Sequence, residues 1–178
     1  MKNIFLLLLL FLSVNAFAQS NWKEFESTEG KFRVYVPGEM EQKEQLMETA
    51  VGTLLYTTYF HQPKGDNPDN VFYSVSYIDY PDQSIHSDST EFLESFFHYT
   101  IDTSVKTVTG DLRYVDFIKL DGYPGRLWRV DYKKGTATIK TRAYMVGTRF
   151  YQIQVVMQRD KSLNKGQDRF FDSFDFTE

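Results

Sequence analysis

The chain has 178 residues, 42% of them hydrophobic and 25% charged, with a formal net charge of −4. That balance is ordinary for a globular protein and excludes a disordered tail, a collagen-like rod or a membrane bundle. The mild acidity is not the field expected of a nucleic-acid binder, and the absence of cysteine removes disulfides, thiol nucleophiles and thiolate metal sites.

From the N-terminus, Lys2, the apolar run Ile4 to Val14 and the small-x-small triplet Ala16-Phe17-Ala18 before Gln19 supply the three parts of a cleaved export signal. The run is about half the roughly 20 apolar residues that a membrane span requires. Residues 1–18 are therefore expected to be a signal peptide, and 19–178 one soluble domain, periplasmic or secreted, with no stable membrane anchor after signal removal.

The aromatic content is 17%, and such side chains favour pleated, half-buried strands. Period-two alternation between turn residues predicts strands at Lys31–Val36, Gln42–Thr49, Thr53–Gln62 and Val71–Tyr80. A helix over Asp88–Asp102 follows. Asp88 and Glu91 form a capping-box-like start, and Leu93, Phe96, Phe97, Thr100 and Ile101 recur on one side. Further strands are expected at Leu112–Leu120, Gly125–Lys133, Thr136–Val146 and Phe150–Arg159. Short turns at Asp121-Gly122, Lys134-Gly135 and Gly147-Thr148 make this half an antiparallel meander. Near the C-terminus Leu163, Gln167, Phe170, Phe171 and Phe174 share a helical face.

Both helical stripes need burial, and laying them on the sheet gives an α+β fold: a central antiparallel sheet of about seven to nine strands with a mid-chain and a C-terminal helix packed on it. If Tyr132 pairs with Ala137, then Trp128, Val130 and Tyr132 share a face with Ile139 and Ala143, and Arg129, Asp131, Lys140 and Arg142 share the other. A strict two-residue loop in the next hairpin would pair Ala143 with Gln152 and mix apolar with polar positions. A three-residue loop or bulge near Gly147–Arg149, pairing Ala143 with Ile153 and Met145 with Tyr151, is expected instead.

The opening Phe25-x-Ser-x-x-Gly-x-Phe-x-Val-x-x-Pro37, the amphipathic mid-chain helix, Leu120-Asp-Gly-Tyr-Pro-Gly-Arg126, the run Arg142–Val156 and the terminal Arg169-Phe-Phe-Asp-Ser-Phe174 together resemble secreted bacterial proteins of the PsbP-like superfamily. The resemblance spans nearly all of the chain after the signal. It implies a central antiparallel sheet with flanking helices. Members include photosystem accessory subunits, a Ran-binding import factor and secreted proteins without assigned roles, and no common catalytic residues carry over.

Chemistry-bearing motifs are sparse. There is no Gly-x-Ser-x-Gly elbow, zincin helix, phosphate loop or dinucleotide fingerprint. His61, His86 and His98 fall in separate expected elements, and the oxygen-rich loop Asp66–Asn70 lacks calcium-loop spacing, so neither a metal nor a cofactor is expected.

Two surfaces stand out. Arg129, Lys140 and Arg142 form a basic cluster on neighbouring strands, to be neutralised by Asp131 or the acidic N-terminal half, or to receive an anion or a partner. Tyr56, Tyr59, Tyr73 and Tyr77 form either an aromatic platform or core packing. Charge is also unevenly divided: residues 19–103 hold 5 Lys/Arg against 15 Asp/Glu, and residues 104–178 hold 14 against 9. Either the halves neutralise each other side by side or the surface is dipolar and orients a partner. The expected function is an exported, non-catalytic accessory or binding protein, its partner another envelope or secreted protein. The alternatives are a small hydrolase or ligand-processing enzyme of the envelope, and a lipocalin-like carrier of a small apolar ligand.

Overall fold

The computed structural model describes residues 22–178, so the expected signal peptide lies outside the described residues. In chain order the elements are β1 (Lys23–Ser27), β2 (Phe32–Val36), β3 (Glu41–Thr49), β4 (Gly52–His61), β5 (Asn70–Asp79), α1 (Thr90–Thr107), β6 (Asp111–Leu120), β7 (Tyr123–Tyr132), β8 (Ala137–Val146), β9 (Arg149–Gln158), α2 (Lys165–Asp172) and β10 (Asp175–Phe176). The class is α+β. A seven-stranded sheet runs β3-β4-β5-β9-β8-β7-β6, and a small three-stranded sheet runs β1-β2-β10.

The large sheet is two meanders, β3–β5 and β6–β9, joined through the antiparallel pairing of β5 with β9. It is open, ending at β3 on one side and β6 on the other, so the closed barrel of a lipocalin-like carrier is not its architecture. Tight turns set the registers. Asp121 and Gly122 both have positive φ (52° and 85°), as a two-residue hairpin turn with the twist of its strands requires.

Each face of this sheet carries its own layer. On one, α1 buries Leu93, Phe97 and Ile101 against Ile78, Trp128, Val130, Ala143, Met145 and Phe150. On the other, Phe32, Val34 and Val36 of β2, with Phe170 and Phe171 of α2, pack on Tyr59, Tyr73, Val75, Tyr151, Ile153, Val155 and Met157. Alternate residues of β9 thus feed opposite cores, Phe150 one and Tyr151 the other.

The pairing of Tyr132 with Ala137 is observed, so Trp128 and Val130 share a face with Ile139 and Ala143. The expected irregularity near Gly147–Arg149 is not. Val146 pairs with Arg149 and Ala143 with Gln152, through an uninterrupted two-residue turn. The expectation assumed one apolar and one polar face, but a sheet covered on both sides mixes them. Gln154 lies on the α1 side, where its amide donates to Thr141 Oγ1 at 3.1 Å, while Ile153 and Val155 enter the other core. The register shifts occur elsewhere, between Leu112 and Tyr114 of β6 and between Asn70 and Phe72 of β5.

Both helices start later than expected. α1 begins at Thr90 with Ser89 as its N-cap and no side-chain cap bond, so Asp88 does not form the capping box. α2 begins at Lys165, where the Asn164 side chain accepts from Gln167 N at 2.9 Å. Leu163 precedes the helix and is 89% exposed rather than part of its buried stripe.

Candidate functional site

The charged groups at one end of the β6–β7–β8 layer converge on a single carboxylate. Asp131, near the end of β7, faces Thr138 of β8 across the strand pair, and it is almost fully buried. Its Oδ1 accepts from Arg129 Nε and from Thr138 Oγ1, both at 2.9 Å. Oδ2 is buried without a hydrogen bond and lies 3.6 Å from Arg113 Nε and 3.5 Å from Arg159 Nε. Burial works against the charged form of Asp131, but the hydrogen bonds from Arg129 and Thr138 and the nearby guanidiniums prevail and hold its carboxyl below the usual range.

Three guanidiniums therefore share one carboxylate. Lys140 stands directly across the strand pair from Arg129, and burial pushes its ammonium pKa down, aided by Arg142 and Arg129 and opposed by Asp168 and Asp172. Arg113 reaches the cluster from the bulge of β6, and Arg159 follows the end of β9. Their side chains are 50% and 52% exposed.

Of the basic residues singled out in the sequence, Arg129 and Lys140 are neighbours. Arg142 shares their face but is turned to α2, donating to Phe171 O at 3.0 Å and to Asp172 Oδ1 at 2.9 Å. A cation at the last carbonyls of a helix complements its dipole. Arg113 and Arg159 are not marked by the strand alternation that picks out the other three. No sequence signal marks a bulge at Arg113, and Arg159 lies beyond the alternating core of its strand.

The four tyrosines do not share one open surface. Tyr59, Tyr73 and Tyr77 are buried between the large sheet and the β1-β2-β10 layer, and Tyr56 points to the α1 side. Burial raises the Tyr73 phenol to about 12, and its oxygen accepts from Asn70 Nδ2 at 2.7 Å. Beside it a surface hollow of about 320 Å³ is lined by Trp22, Pro37, Pro63, Asn70, Asn164 and others. Its two asparagines are occupied with each other through reciprocal amide bonds of 2.7 and 2.8 Å.

His61 contacts Glu39 O, His86 lies beside Asp88, and His98 beside Asp102, so the three imidazoles are in separate places. Among the described residues no helix is long and apolar enough to cross a membrane.

The expected charge asymmetry becomes a spatial one. Strands β3–β5 carry one Lys against four acidic residues, and β6–β9 carry seven Lys or Arg against three Asp. The sheet order places the first group at one end and the second at the other. Where the groups meet, Asp79 of β5 and Arg149 of β9 form a forked ion pair. A scan against protein-family models and a search of curated proteins found no match for this chain.

Proposed function

We propose that this chain is an exported, non-catalytic accessory or binding protein of the PsbP-like kind, which engages another envelope or secreted protein through its charged sheet surface. The observation that supports this reading is the polarised sheet: an acidic edge at β3, where Glu41, Glu44 and Glu48 are exposed, and a basic end at β6–β8. Opposed charged ends orient a partner during encounter and discriminate against wrong docking poses more than they add affinity. An antiparallel sheet with flanking helices is compatible with the architecture that the resemblance implies.

The test is cross-linking and co-purification of the chain from the envelope fraction at low and raised salt. The expected result is a stoichiometric partner, released by salt and lost from the Glu44→Lys/Glu48→Lys variant, with the exported chain starting at Gln19. A salt-insensitive complex indifferent to those substitutions would refute the charge-guided reading. Turnover of a hydrolase substrate panel by the pure protein would replace it with the enzyme reading.

A further inference from the structure

We infer that Arg113, Arg129, Lys140 and Arg159 form a binding site for a phosphate dianion, free or carried as a monoester. The inference deepens the binding reading above and rests on it only for the role of the surface, since the site itself is defined by the geometry around Asp131. Asp131 acts as a strut. It draws three guanidiniums to within 2.9 to 3.6 Å of one carboxylate and leaves their positive charge in excess. Asp111, its exposed cross-strand neighbour, and Asp168 and Asp172 beside Lys140 reduce that excess without forming an ion pair with any of the four cations; Asp172 is taken by Arg142.

Donor capacity points the same way. A guanidinium has five N–H donors. Among the described residues the Arg113 guanidinium makes no hydrogen bond, its one ion-pair contact being the 3.6 Å approach to Asp131. Arg159 makes a single long one, to Gly135 O at 3.4 Å, and Lys140 has no ion-pair partner, only the ring of Phe171 at 6.0 Å. The bulge between Leu112 and Tyr114 takes Arg113 out of one-to-one pairing, and such bulges re-aim side chains. The cluster therefore combines a fixed, buried centre with outward donors that lack acceptors. A carboxylate ligand would use one fork and duplicate the part Asp131 already plays. A tetrahedral phosphate offers several oxygens to cations arriving from three strands, and charge-assisted bonds from Arg forks are the strong ones.

The experiment uses the exported chain titrated with inorganic phosphate, followed by amide shifts and calorimetry at fixed ionic strength, with acetate as the carboxylate control. In parallel, flotation is run with phosphatidic acid vesicles against phosphatidylcholine vesicles. Saturable phosphate binding is expected, weakened about tenfold by Arg113→Gln and again by Lys140→Gln, as loss of one charge-assisted bond each implies. Lys140→Gln should keep the wild-type unfolding midpoint, and Arg113→Gln should lower it only slightly because Arg129, Arg159 and Thr138 still hold Asp131, so both chains stay folded during the titration. Response to inorganic phosphate identifies the free ion as sufficient; capture by phosphatidic acid vesicles alone, abolished in the variants, identifies the headgroup ester. The inference is overturned if neither probe binds, if acetate binds as well as phosphate, or if both variants bind like wild type. Failure of phosphate binding would end the site while leaving the accessory reading intact, because that reading is judged separately by the salt-sensitive partner and the Glu44→Lys/Glu48→Lys variant.

Discussion

Asp131 shows how a single side chain can be costly to bury and still be held charged. A desolvated carboxylate is unfavourable unless paired and hydrogen-bonded, and here Arg129 and Thr138 supply bonds to Oδ1 while two further guanidiniums face Oδ2. Replacing it by Asn leaves those cations without their counter-charge. Asp131→Asn should therefore lower stability by about 2 kcal/mol at neutral pH, the scale of hydrogen bonds to a charged group. The folded carboxyl titrates below its unfolded value, so its contribution is complete above the ordinary carboxylate range and is lost as pH falls through the folded value. Urea unfolding across a pH series should show the gap between wild type and Asp131→Asn closing on acidification, and a gap independent of pH would contradict this account. Part of the cluster is legible in the sequence. Arg129 and Asp131 share a face by alternation, and a short turn brings Lys140 across from Arg129. Arg113 is hidden, because alternation from Leu112 and Tyr114 is broken at that residue.

The two helices differ in how their first turns are satisfied. Asn164 caps α2 by accepting from Gln167 N, and it also exchanges amide bonds with Asn70 on β5. Ser89 at the start of α1 makes no side-chain cap bond. Asn164→Ala should then cost at least about 1 kcal/mol, the typical value of a cap, and Ser89→Ala should stay within about 0.5 kcal/mol of wild type, both read by thermal or urea unfolding. Equal losses would show that the caps play no separate part. The apolar stripe of α1 is visible from spacing because three of its residues, Leu93, Phe97 and Ile101, must all reach one core. The caps are less visible, since Asp88, Ser89 and Thr90 are all plausible starts and local backbone turns decide among them. β1 and β10 left weaker marks still: β1 is charged at three of its five positions and β10 is two residues long, and both owe their place to pairing with β2. The β8–β9 turn departs from the expected bulge for a related reason, because alternation locates a core only when a sheet has a single buried face.

At the scale of the molecule the seven-stranded sheet separates two cores that touch through its backbone but not through side chains. Phe97 on the α1 side is 1% exposed and Phe170 on the α2 side 0%, and a layer packed on a sheet lies about 10 Å from it. Substitutions in the two cores should therefore be independent. Phe97→Leu and Phe170→Leu each remove buried ring volume and should cost roughly 1 to 2 kcal/mol, with the double variant losing the sum to within about 0.5 kcal/mol. Phe97→Leu with Phe150→Leu is the contrasting pair, because those rings meet at 6.2 Å between centroids; its loss should depart from additivity by more than that margin. Chemical denaturation of the three single and two double variants against wild type measures both couplings. Strong coupling between Phe97 and Phe170 would mean that the sheet transmits strain from one face to the other, through strands such as β9 that place Phe150 in one core and Tyr151 in the next, and the two layers would then have to be treated as one.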